Sequence, residues 1–236
     1  MERTRHKISN QINAEQIRIF ALYFFLIAGG LWHILNVLQP VMRLLASPLL
    51  IFLATWISAE YIQHLSHTSD TFAKNRIVFL LWATGVIIIS FLIELIGVKT
   101  GVIFGSYTYG TTLSPQIASV PVAIGFAWLC MLMTSVAVVQ KIDRRFELRN
   151  DFIRATAISA LMVLFDAVME PAATRLGYWT WQNDTIPLQN YAAWFIISFV
   201  FAWIGLRAGL FNKRLPAVAF HAYVAQFIYF VMVIFK

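Results

Sequence analysis

Charge is scarce in this sequence. Only 12% of its 236 residues are Asp, Glu, Lys or Arg, and 60% are hydrophobic. Soluble globular domains carry about 25% charged residues, so this composition excludes one and implies an integral membrane protein. Cysteine is almost missing: Cys130 stands alone in an apolar run, which excludes a disulfide framework. Histidine numbers five, too few for a membrane di-iron hydroxylase. Asp-rich segments that would hold magnesium and a diphosphate are absent, which argues against a prenyltransferase. The last apolar run, AVAFHAYVAQFIYFVMVIFK, has no central lysine for a retinal Schiff base. The N-terminal MERTRHKISNQINAEQ is polar for too long to be a standard signal peptide.

What is present is a set of apolar runs. Seven are long enough to cross a bilayer, which takes about 20 residues: 17–36, 44–62, 77–98, 120–140, 152–171, 191–210 and 216–235. Pro48 interrupts the second. The expected fold is an all-α polytopic membrane protein, one transmembrane domain over 1–236. The basic residues of the connections alternate in number. Arg3, Arg5, Lys7, Arg18, Lys74, Arg76, Lys141, Arg144, Arg145, Arg149, Arg154, Arg207, Lys213 and Arg214 fall on one side, and Arg43, Lys99, Arg175 and Lys236 on the other. The positive-inside rule then puts the N-terminus in the cytoplasm and the C-terminus outside, in the cell (inner) membrane. The net charge of +7 is thereby a topology signal. With no basic groove carrying interleaved aromatics, no nucleic-acid partner is expected.

Two stretches echo each other, FLIELIGVKTGVIFGSYTYG (91–110) and FDAVMEPAATRLGYWTW (165–181). Gly101 follows Glu94 by seven residues and Gly177 follows Glu170 by seven. Each glycine leads into an aromatic–Thr–aromatic triplet, Tyr107-Thr108-Tyr109 and Trp179-Thr180-Trp181. Pro121 and Pro187 each precede a tryptophan, Trp128 and Trp194, by seven residues. This reads as a degenerate repeat, units 76–140 (helices 3 and 4) and 151–210 (helices 5 and 6). Helices 3 and 5 run the same way, so the repeat is parallel, about an axis along the membrane normal.

Carboxyls inside membrane helices are costly and usually functional. Glu94 lies near one end of helix 3, roughly 6 Å deep. Asp166 and Glu170 share a face of helix 5 at i, i+4 spacing, and Pro171 is expected to end or kink that helix. The bland reading pairs these carboxyls with Arg175, tyrosine hydroxyls or tryptophan N–H groups as structure alone. The sharper reading is an acid site: desolvated carboxyls close together cannot all ionise, so one keeps a proton to give. Aromatic faces around it would stabilise a developing carbocation, which suits an isoprenoid double bond delivered from the bilayer.

The run E-x2-G-x3-G-x2-F-G-x-Y-x-Y (Glu94, Gly97, Gly101, Phe104, Gly105, Tyr107, Tyr109) is followed by Val120-Pro121. Then come D-x3-E-P (Asp166 to Pro171), G-x-W-x-W (Gly177 to Trp181) and P-x2-N-x3-W (Pro187, Asn190, Trp194). Together, over residues 76–210, these resemble the membrane-integral carotenoid hydratase family. In many relatives the second motif reads D-P where this chain has Glu170-Pro171. The carboxylate is kept and is one methylene longer. The resemblance implies addition of water to the terminal double bond of an acyclic carotenoid, on lycopene-like, gamma-carotene-like or bacterioruberin-precursor substrates, giving a tertiary alcohol. It implies no metal or organic cofactor. Its partners would be the membrane-embedded carotenoid, the lipid bilayer and other enzymes of carotenoid biosynthesis.

On this reading Asp166 or Glu94 is the general acid, with another of the three carboxyls as base. Phe104, Tyr107, Tyr109, Trp179, Trp181 and Trp194 line the end-group pocket, and Asn190 holds the water or a carboxyl. Gly97, Gly101, Gly105 and Gly177 permit tight turns and close backbone approach. Acid and base cannot be told apart at this stage. Glu60, His64, His67 and Asp70 have metal-ligand spacing but read better as a solvated helix end. His33, His221 and Gln226 read as interhelical hydrogen bonds. The rivals are an end-group cyclase, which starts with the same protonation, and a proton-coupled transporter. One closed pocket holding the carboxyls would favour an enzyme.

Overall fold

The computed structural model describes residues 2–68, 72–146, 148 and 150–235. Among them are seven helices: α1 (Glu2–Ile34), α2 (Gln39–Thr68), α3 (Phe72–Thr100), α4 (Ala123–Phe146), α5 (Asp151–Arg175), α6 (Leu188–Arg207) and α7 (Ala217–Ile234). Each contains a segment long and apolar enough to cross a membrane. In lipid a spanning segment must satisfy its own backbone, and the helix does so. The protein is therefore an all-α, multi-pass membrane protein.

The sequence places most span boundaries within a few residues. Pro171 is the correction: α5 runs through it to Arg175. Only one backbone N–H is lost, within the last turn and a half, and the helix still closes with Leu176 N donating to Ala172 O at 2.9 Å. Pro48 likewise sits inside a continuous α2. At its other end α5 starts on Asn150, whose Oδ1 accepts from Ile153 N at 2.8 Å, a side-chain cap on an otherwise orphaned donor.

Helix α4 is the axis of the bundle. Buried residues make up 78% of its spanning window, against 22% for α1. Helices α2, α3, α5 and α7 pack around it, α6 lies along α5, and α1 lies along α7 with little contact to α2. Polar ties cross between helices. The Tyr61 hydroxyl donates to Leu210 O, and Trp82 Nε1 donates to Phe201 O at 3.1 Å. His221 Nδ1 and the Tyr23 hydroxyl join α7 to α1 at 3.2 Å. Gln226 reaches Cys130 Sγ on α4 at 3.9 Å.

The end of the bundle where α3, α5 and α7 finish is capped by two connections that are not loose loops. Strand β1 (Tyr107–Tyr109) pairs with β4 (Trp179–Trp181) in antiparallel register, Tyr107 with Trp181, Thr108 with Thr180, Tyr109 with Trp179. Strands β2 (Gln116–Ile117) and β3 (Val120–Pro121) make a small hairpin beside it. The two triplets noted as repeat partners thus pair with each other, centred on the two threonines, whose hydroxyl oxygens lie 3.2 Å apart.

Candidate active site

Side chains alternate faces along a strand. In β1 and β4 this turns Thr108 and Thr180 outward, where both are exposed. It aims Tyr107, Tyr109, Trp179 and Trp181 down onto the ends of α3 and α5. Gly101 and Gly177, at matching positions after the two helices, have φ of +66° and +68°. That left-handed turn is open to glycine at little cost, and it starts the chain back over the bundle. Gly97 leaves room for the Phe104 ring, since an added Cβ would stand 2.7 Å from Cδ2.

Two carboxylates wait beneath the strands. Glu94 accepts from the Tyr107 hydroxyl, from the Tyr109 hydroxyl at 2.9 Å and, on its other oxygen, from Trp128 Nε1 at 3.0 Å. Glu170 Oε2 accepts from Trp179 Nε1 at 2.8 Å and Trp181 Nε1 at 2.6 Å. The Asn190 amide donates to Asp166 Oδ2 at 2.7 Å and lies 3.4 Å from Glu170 Oε1. Glu94, Asp166, Glu170 and Asn190 are all buried. Hydrogen bonds to a charged group contribute about 1.5–3 kcal/mol each, which is how carboxylates are held in a medium that otherwise rejects them. Outside the spanning segments, burial first and the Glu94 carboxylate second push the Tyr107 and Tyr109 hydroxyls up. Both therefore remain protonated and able to donate.

Glu94 and Glu170 line one cavity together with Asn190, Trp128, Trp194 and the four strand aromatics. The rings of Trp128 and Trp194 stack at 4.2 Å with 21° between planes. The rest of the wall is apolar and includes Met131 on α4, Met169 on α5, Leu50 on α2 and Phe230 on α7. The cavity gives water centres about 60 Å³. One water takes about 10–15 Å³ on that measure, so the space suits a few waters or the tip of a hydrocarbon chain, not a whole polyene.

Residues 46–236 match a family described as carotenoid biosynthesis protein. The chain belongs to that family. It is also similar to the bisanhydrobacterioruberin hydratase of Haloarcula japonica, 31% identical over 116 residues, a match that covers 47% of this chain and 39% of that protein. The chain thus spans well under two thirds of this relative's length. No solved structure matches it.

For this member of the carotenoid biosynthesis family, the structure brings most of the expected site residues into one place. Glu94, Glu170, Phe104, Tyr107, Tyr109, Trp179, Trp181, Asn190 and Trp194 all line the cavity. Asp166 does not. It lies behind Asn190, fully buried, and its Oδ1 has no hydrogen-bond partner. Arg175 serves none of the carboxyls and donates instead to Ile234 O. Glu60 pairs with Arg18 at 3.3 Å and with Trp56 Nε1 at 2.8 Å. The His67 side chain and Asp70 lie outside the described residues. Sequence reasoning missed Trp128 as a Glu94 partner, although the expected repeat, which matches it to Trp194, carried the signal. It also missed Tyr178, Met131, Met169, Leu50 and Phe230, which nothing but packing reveals.

Proposed function

We propose that this chain adds water to the terminal double bond of an acyclic carotenoid end group. The observation that carries the reading is the contrast between two carboxylates facing one aromatic cavity. Glu170 is held on one oxygen by two indole N–H groups, which can donate and never accept. That environment suits a carboxylate that starts ionised. Glu94 has one indole, Trp128, on one oxygen, but its other oxygen is held by two phenols, which donate or accept, so the site tolerates Glu94 with or without a proton there.

Glu94 is accordingly the acid. Its proton goes to the less substituted carbon of the double bond, whose π electrons form the new C–H bond, leaving a tertiary cation. The faces of Trp128, Trp194, Tyr107 and Trp181 stabilise that cation, each by about 2 kcal/mol when water is excluded. A water placed by Asn190 adds through oxygen and gives one proton to Glu170 Oε1, the oxygen not taken by the indoles. Proton return from Glu170 to Glu94 closes the cycle, and the sum is olefin plus water to tertiary alcohol. Asp166 acts through Asn190, fixing the amide between the two carboxyls of α5. The rest of the polyene leaves the cavity past Leu50 and Phe230, between α2 and α7, into lipid.

We also retain 76–140 and 151–210 as the two repeat units and, on the basic-residue bias, the N-terminus in the cytoplasm. Supporting the reaction are the family, the relative's name and the enclosure of Glu94 and Glu170 in one pocket rather than along an aqueous path, which would suit a transporter. The test is expression in a host that accumulates lycopene and in one that makes gamma-carotene, with chromatography and mass detection. A more polar pigment heavier by one or two waters supports hydration. A ring-bearing product of unchanged mass makes it a cyclase, and unchanged pigment in both hosts sinks the reading.

A further inference from the structure

A cation formed in a dry pocket needs water at the right moment, and the hydrocarbon occupies the apolar way out. If the proposed hydration holds, water needs a path of its own. A second depression lies at the capped end of the bundle, between the α1–α2 turn and the end of α5. Its wall is polar: His33, Asn36, Gln39, Arg43, Thr112 and Arg175. Asn36, Arg43 and Arg175 are exposed, so it opens to solvent. It gives water centres about 80 Å³, room for several waters at about 10–15 Å³ each. One residue, Tyr178, lines both this depression and the catalytic cavity.

We propose that the depression is a water vestibule, and that the Tyr178 side chain is the gate through which it feeds the cavity. The Tyr178 backbone is pinned: its N donates to Ala173 O at 2.9 Å, and its O accepts from Gly110 N at 2.8 Å. Its ring is half-buried and lies beside Tyr229 on α7. A rotation of this one side chain joins the two spaces without moving a strand. The other nearby depression, at Ser106, Thr108, Thr180 and Gln182, is divided from the cavity by Tyr107 and Trp181. Opening there would take the hydrogen bonds away from Glu94 and Glu170. The Tyr178 side leaves both carboxylates dressed.

The mechanism supplies the assay. In D2O, Glu94 delivers a deuteron to the olefin. The cation then either gains water and becomes the alcohol, or loses a proton and returns as labelled olefin. The ratio of labelled recovered olefin to alcohol reports water supply per cation formed, whatever the amount of folded protein. Membranes holding the full chain, pre-equilibrated in D2O with lycopene, would be compared with Thr112→Trp, which fills the vestibule and touches neither carboxylate. Met42→Trp, on the opposite wall, serves if the first variant is unstable. The ratio is expected to rise on the order of tenfold, the factor that ~1.4 kcal/mol of weakened water binding produces. An unchanged ratio in both variants overturns the vestibule while leaving hydration standing. Absence of alcohol from the wild-type chain overturns hydration itself, and the vestibule with it.

Discussion

Tyr107 and Trp181 face each other across the strand pair, ring centroids 4.9 Å apart, yet serve different carboxylates. The phenol donates to Glu94 and the indole to Glu170. The two triplets thus present donors of different chemistry, phenols to Glu94 and indoles to Glu170. The proposed division of labour between Glu94 and Glu170 needs no difference in backbone.

That proposed division makes the donors to Glu94 matter for turnover. Tyr107→Phe takes from Glu94 one of its three donors. At about 1.5–3 kcal/mol for a hydrogen bond to a charged group, turnover should fall roughly ten- to a hundredfold, measured as alcohol formed per unit of membrane-inserted protein. Trp128→Phe, which keeps an aromatic ring and loses the N–H, should fall by a similar factor or more. Full activity in both would remove Glu94 from the acid role.

Glu94→Gln and Glu170→Gln should each lower turnover about 10²- to 10⁴-fold, the usual range for one positioned proton-transfer group, with protein still in the membrane by immunoblot. Asp166→Asn should cost less, because Asp166 does not line the cavity and reaches it through Asn190 and its neighbour Glu170. An Asp166→Asn loss larger than that of both glutamates would reverse the assignment.

Gly105→Ala tests the fold rather than the chemistry. Gly105 has φ of +104°, and an added Cβ would stand 2.5 Å from Pro187 Cγ. Strained backbone of this kind costs on the order of 1–3 kcal/mol, and the contact with Pro187 adds to it. The expected result is a lowered melting temperature in detergent and reduced accumulation. A variant as stable as the wild type would mean the connection relaxes freely.

Leu50→Trp narrows the proposed way out between α2 and α7. It should raise KM for a full-length carotenoid more than kcat falls, since Leu50 touches no carboxylate. A short substrate carrying the same end group should be spared. Equal loss on long and short substrates would place the polyene elsewhere.

The seven spans were readable because apolar length alone decides them. The carboxyls were readable because charge inside such a span stands out. Pro171 misled because the sequence shows the missing N–H but not how near the helix end lies. The strand pair has a faint signal, since Tyr-Thr-Tyr and Trp-Thr-Trp carry the period-two alternation and β-prone residues of strands. Three residues are too few to register against long helices. Asp166 and Asn190 were seen one by one, but that the amide stands between Asp166 and the cavity depends on packing of α6 against α5. Phe230 and Leu50 looked like any lipid-facing residue.

The β1–β4 pairing is also a seam. Six residues from two distant stretches close the roof over the carboxylates, and the helices below do not need that roof to stay in lipid. Local openings cost less free energy than unfolding of the whole molecule, and this roof hangs on a short ladder and on its hydrogen bonds to Glu94 and Glu170. Two thermal limits are therefore expected of the protein, one for its roof and one for its bundle. A harsh detergent or mild heat would silence it while its circular dichroism still reported intact helices, and return to lipid would bring activity back.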